Sequence, residues 1–205
     1  MYKVKGKPWA YSGAIDVSDC ATAKEVMLKA GLNFNVAKCE LVGKMPIKLT
    51  GTDEELDRII KEQKEGAHVF GTDIYRKCDN AFATYRTDYN IPLGVVKSKY
   101  TIVQNNDAFN FFDDAIGKNS AIWQTAGFWG NGERIFVSAK LPNNILVKGD
   151  PVENYLVFTN THDGSGGVKI LFTPIRVICQ NTLNAAIRTL SLIHISEPTR
   201  LGMIS

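Results

Sequence analysis

The sequence predicts an α+β domain: an antiparallel sheet of hairpins and meanders with a few helices packed on it. Three observations carry this. Strand-type runs rich in aromatic and β-branched residues crowd the second half of the chain. Successive runs are joined by short glycine-containing loops, the connection of antiparallel neighbours rather than of parallel crossovers. Helical periodicity occurs singly, not in alternation with strands.

From the N-terminus, SDCATAKEVMLKAGL offers a cap at Ser18, apolar Val26, Met27 and Ala30, and a stop at Gly31, so a helix is expected over 20–30. NFNVAKCELV at 33–42 alternates as a strand with both faces partly covered. Thr52 followed by Glu55 has the capping-box spacing, and Leu56, Ile59 and Ile60 continue at helical intervals toward Gly66. The charged face of that helix reads as solvated. AHVFGTDIYR (67–76), NAFATYRT (80–87) and GVVKSKYTIV (94–103) read as three strands. Asn106 is placed to cap a helix carrying Phe109, Phe112 and Ile116 and closing at Gly117. AIWQTAGFW and RIFVSAKL, joined by GNGE, form a predicted hairpin, as do NYLVFTNT and VKILFTPIRVI around HDGSGG. A last helix begins at Asn181 or Thr182.

Composition narrows the function classes. The chain has 205 residues, 44% of them hydrophobic, within the range of one ordinary globular domain, expected here over 1–189. A net charge of +3 is too small to argue a nucleic-acid partner from bulk charge. No apolar run approaches the ~18–20 residues of a membrane span, and the start MYKVKGKPWAYSG lacks the apolar centre of a signal peptide. A cytoplasmic protein with no membrane partner is expected. Cys20, Cys39, Cys78 and Cys179 are too dispersed for a disulfide framework or zinc site, so no metal or cofactor is expected.

Three clusters hold the candidate chemistry. In HDGSGG, His162 beside Asp163 on a glycine-rich turn has the residue types of an acid/base pair, although the same glycines serve a hairpin turn. In RVICQNTL, Arg176 suits an anion and Cys179 a nucleophile, although a cysteine at the end of an apolar strand is more often a small buried hydrophobe. An enzyme would use His162, Asp163, Arg176 and Cys179 together. The third cluster interleaves bases and aromatics: Arg76 and Lys77 beside Tyr75, Tyr85 and Arg86 beside Phe82, Lys97 and Lys99 beside Tyr100. Single-stranded nucleic acid binds by stacking on aromatics beside cations, so one sheet face carrying these residues makes a platform for single- or double-stranded DNA. Aromatics on strands also build cores, and a protein-interaction domain, for instance one opposing a host defence, is the third reading.

LSLIHISEPTR, at Leu190–Arg200, resembles the translation of a transposon end joined to a sequencing-library adapter. Residues 190–205 are therefore expected to be a non-native tail on a chain cut near Thr189, and His194 is counted in no site. The blocks KAGLNFNV, PLGVVKSKYTIVQNNDAF, TAGFWGNGERIFVSAKLP, THDGSGG and RVICQNTL resemble the phage/plasmid-like proteins of a family built on a domain of unknown function. That resemblance covers most of 9–189. It implies a mobile-element gene product of a prokaryotic cytoplasm and supplies no catalytic residues. The leading expectation is a non-enzymatic accessory that binds DNA through Arg76, Lys77, Tyr85, Arg86, Lys97, Lys99 and Tyr100, with its oligomeric state open.

Overall fold

The computed structural model describes residues 14–46, 52–70, 73–116, 121–147 and 149–189. The tail 190–205 and the expected helix stop Gly117 lie outside the described residues. In chain order the elements are β1 (Ala14–Asp16), α1 (Ala23–Lys29), β2 (Val36–Pro46), α2 (Asp53–Lys64), β3 (His68–Phe70), β4 (Asp73–Arg86), β5 (Ile91–Lys97) and α3 (Asn105–Ile116). They continue with β6 (Ile122–Trp129), β7 (Arg134–Lys140), β8 (Ile145–Val147), β9 (Asp150–Val152), β10 (Tyr155–Thr161), β11 (Lys169–Thr173) and α4 (Gln180–Thr189). The result is an α+β fold of antiparallel sheets, with four helices among the described residues.

The first sheet runs β1-β6-β7-β10-β11. Both predicted hairpins are in it, with Trp129 opposite Arg134 and Thr159 opposite Lys169. Strand alternation splits its side chains between two cores. Ile135, Val137, Ala139, Leu156 and Phe158 face α1 and α3, where they meet Val26, Met27, Phe109 and Phe112. Phe136, Tyr155 and Val157 face the other way, onto Leu183 and Ala186 of α4. Helices on both faces explain why every residue of β10 is buried and why its sequence shows no polar alternation. Each fully buried Phe contributes about 2–3 kcal/mol by area.

The second sheet has the order β2-β4-β3, with β5 also paired to β4. Here the structure departs from the sequence reading. The run 67–76 is not one strand: it holds β3 and the start of β4, which pair antiparallel from Phe70 opposite Asp73. The strand expected at 80–87 is the second half of the same long β4. An irregularity joins the halves, because Glu40 lies opposite Phe82 but Val42 opposite Lys77, and Asn80 takes the left-handed φ of 58°. The strand expected at 94–103 is β5, which starts earlier and stops at Lys97, where Tyr100 N–H donates back to the Lys97 carbonyl at 3.0 Å.

Helix starts moved as well. Thr22, not Ser18, caps α1: its hydroxyl accepts from Glu25 N–H at 3.2 Å, and the Glu25 carboxylate accepts from Ala21 N–H at 2.8 Å. At α2 the Thr52 half of the expected box is not made, since the Thr52 side chain makes no capping bond. The α3 helix begins two residues earlier than a cap at Asn106 implies: Ala108 N–H donates to the Gln104 carbonyl at 3.0 Å, and Asn105 is buried. β8 and β9 form a small hairpin the sequence reading lacks, and β11 ends at Thr173, ahead of Pro174.

Candidate functional site

The blocks singled out in the sequence converge where the two sheets meet. The turn after β10 lies on β5: a Cβ built on Gly94 would stand 2.5 Å from Asp163 Cα, so the two backbones touch only because position 94 has no side chain. Gly132, in the loop between β6 and β7, meets the ring of Phe34 in the same way, with 2.7 Å from a built Cβ to Cζ and a φ of +115°. Thr84 of β4 donates its hydroxyl to the His162 carbonyl at 2.6 Å, and His162 N–H donates to the Glu133 carbonyl at 2.7 Å.

His162 itself is fully buried. Asn105 Nδ2 donates to the carbonyls of Leu32 (2.9 Å) and Phe34 (3.3 Å), which leaves its Oδ1 as the acceptor for His162 Nε2 at 2.9 Å. The imidazole proton is thereby assigned to Nε2. Nδ1 has no partner among the described residues, and neither has the buried Thr161 hydroxyl. Burial pushes the His162 pKa down to about 4, against a smaller opposing pull from Asp163, so the ring is neutral at pH 7. A neutral imidazole out of contact with solvent exchanges no proton with an exogenous group in this conformation.

Beside it, Arg86 is only 8% exposed. Its guanidinium stacks 3.9 Å from the Phe34 ring centroid, donates to both carboxylate oxygens of Asp88 and to the Asn131 carbonyl, and lies within 5.6 Å of the Phe128 ring centroid. The ion pair holds the Asp88 carboxyl below its ordinary pKa. Arg86 and Tyr85, adjacent on β4, face opposite sides of the sheet.

The remaining candidates are dispersed. Asp163 accepts from Ser165 N–H at 2.9 Å and organises the turn, with Gly164 at a φ of +78°. Arg176 acts electrostatically on Glu153 and Tyr155 at the far end of β10 from His162, about 20 Å away by strand rise. Cys179 precedes α4, where bonding to Thr182 lowers its pKa. These four residues do not form one site. Among the bases, Lys77 pairs with Glu40 and Arg76 lies 3.7 Å from Glu65. Tyr100 donates its hydroxyl to the Thr161 carbonyl at 2.8 Å. Lys97 and Lys99 are exposed, and Tyr85 is half-buried on the outer face. Among the described residues no group of three His, Cys, Asp or Glu is placed to hold a metal ion.

Sequence reasoning missed Asn105, which fixes the tautomer of His162. The signal was present as the polar run QNN at 104–106 directly before an amphipathic helix.

A family model described as a domain of unknown function, DUF932, matches residues 92–197, about half of the chain. The chain belongs to the DUF932 family. DUF932 is found in phage- and plasmid-associated bacterial proteins. No curated protein and no solved structure matches the chain. The DUF932 match begins at β5 and takes in the His162 turn, while Phe34 and Arg86, which complete the buried junction, precede it. No helix among the described residues is long and apolar enough to cross a membrane.

Proposed function

We propose that this DUF932 domain is a non-enzymatic accessory of a mobile element that binds single-stranded nucleic acid on the outer face of its second sheet, through Tyr85, Lys97 and Lys99. The observation that carries the reading is an open sheet face. Ala37, Cys39, Ala83, Tyr85 and Val95 share it by register, with Lys97 opposite Ala81 at its margin. Val95 is 56% exposed, so the small residues form a shallow floor around one aromatic ring. Stacking on Tyr85 with phosphates held by Lys97 and Lys99 is the arrangement such ligands use. Arg86 has no part in it, because its charge is spent inside the protein.

The test is binding of labelled single-stranded DNA across a salt series. Wild type is expected to lose affinity steeply with salt. The double substitution Lys97→Glu and Lys99→Glu lowers the logarithmic salt slope by about 1.4, at ~0.7 per phosphate contact. Tyr85→Ala weakens binding without changing the slope. Absence of binding at low salt overturns the reading.

A protein partner is the second reading, favoured by α2. Leu56 and Ile60, one turn apart, are 59% and 41% exposed on that helix. Leu56→Ser with Ile60→Ser abolishes capture of such a partner while leaving DNA binding intact.

A further inference from the structure

Among the described residues, no strand covers one edge of the second sheet. β2 is its outermost strand, and antiparallel alternation fixes which backbone groups point away from β4. The side-chain amide of Gln104 accepts from Val36 N–H (3.0 Å) and donates to the Val36 carbonyl (2.8 Å), so the groups of Val36 point outward. Register is unbroken from Val36 to Glu40, which turns Lys38 and Glu40 the same way. At the other end Phe70 and Asp73 close the β3–β4 hairpin, and a closing pair around two residues is hydrogen-bonded. Asp73 therefore points to β3, and its β2 partner Pro46, then Lys44 and Val42, point outward. No main-chain bond among the described residues reaches the outward groups of Lys38, Glu40, Val42 or Lys44. Val42 and Met45 are exposed, and α2 packs on β3, on the other side of β4.

We infer that this edge pairs with the same edge of a second copy, antiparallel about a two-fold axis through Val42. The charges select that register. With the axis at Val42, Glu40 of each copy faces Lys44 of the other, Lys38 faces Pro46, Cys39 faces Met45 and Leu41 faces Gly43. Moving the axis to Leu41 sets Lys38 against Lys44, and moving it to Glu40 sets that carboxylate against itself. An axis at Gly43 faces Glu40 with Pro46 and forms no ion pair. In the Val42 register the existing pairs Lys77 with Glu40 and Lys44 with Asp73 join into two four-charge rows across the interface. Roughly eight main-chain hydrogen bonds form over about 30 Å of strand. Val36, already closed by Gln104, lies just beyond the paired stretch in both copies, so the interface stops where the edge stops being free. The lysines, the glutamate and Pro46 block indiscriminate strand addition and leave this one complementary arrangement. The pairing is independent of the nucleic-acid reading.

Sedimentation equilibrium of the whole chain from about 10 to 500 μM tests it. Wild type is expected to move from monomer to dimer mass. Glu40→Lys alone and Lys44→Glu alone weaken association at least tenfold, because each sets like charges opposite one another. An equimolar mixture of these two variants recovers the dimer, since every charge in one copy then meets its opposite in the other. Val42→Pro removes an outward N–H that makes no main-chain bond among the described residues, and loses the dimer with an unchanged circular-dichroism spectrum. A wild type that stays monomeric throughout overturns the proposal, as does a mixture that stays monomeric while wild type dimerises, or single variants that dimerise as wild type does.

Discussion

Arg86 and His162 show why residue type alone misassigns a site. Both are polar groups of the kind that marks function, and both are interior parts of one junction. Arg86 fills a box made by Phe34, Phe128 and Asp88. His162 is held neutral, and that makes it an acid-labile element. Above pH 6.5 folded and unfolded chains both carry neutral imidazole, so the group favours neither. As pH falls below 6.5 the unfolded chain takes up a proton that the folded chain refuses until about pH 4, and stability drops by about 1.4 kcal/mol per unit. Between pH 7 and 5 urea titration is expected to show a loss of about 2 kcal/mol in wild type. His162→Gln, which keeps an N–H for Asn105 and cannot titrate, removes most of that loss. Equal losses in the two proteins would falsify the assignment.

The elements differ in how their ends are secured. Thr22→Ala removes a made capping bond and is expected to cost about 1 kcal/mol in denaturant unfolding. Thr52→Ala, at a helix start without one, costs no more than a few tenths. A reversed order excludes the capping account. Both positions carry Thr-x-x-Glu, so the pattern was legible and its use was not: whether the hydroxyl turns inward depends on what the helix packs against, and α1 buries Val26 and Met27 where α2 leaves Leu56 exposed. The two hairpins of the first sheet were legible because their turns carry Gly and their strands run between clear stops. The long β4 was not, because Asn80 resembles a strand boundary in sequence while its left-handed φ carries the strand through. The site was least legible. Asn105 and Phe34 meet His162, and Arg86 meets Phe34, across contacts of long sequence separation, which no local pattern encodes.

At the scale of the molecule, the family match and the physical unit have different limits. The matched span starts at Pro92, inside β5, yet β5 needs β4, and Phe109 and Phe112 need Val26 and Met27 of α1. A fragment of residues 92–189 is therefore expected to show no cooperative thermal transition, where the whole chain shows one; a sharp melt of the fragment would mean that β6, β7, β10 and β11 with α3 and α4 suffice. The same wiring explains how a site that looks like a catalytic motif can be a joint: HDGSGG is where one sheet seats on the other, Asp163 lying against Gly94 of β5.

The pairing of β1 with β6 sets the order of events during synthesis. Ala14 lies opposite Gly127 and Val17 N–H reaches the Gln124 carbonyl, so β1 has no partner in the first sheet until β6 has been made. The first sheet then waits for β10 and β11. At roughly 5–20 residues per second of translation, the N-terminal segments spend several seconds as a nascent chain without their native neighbours. The decisive step of folding thus waits for the later strands and is slow for the size of the domain, as non-local strand pairing makes it.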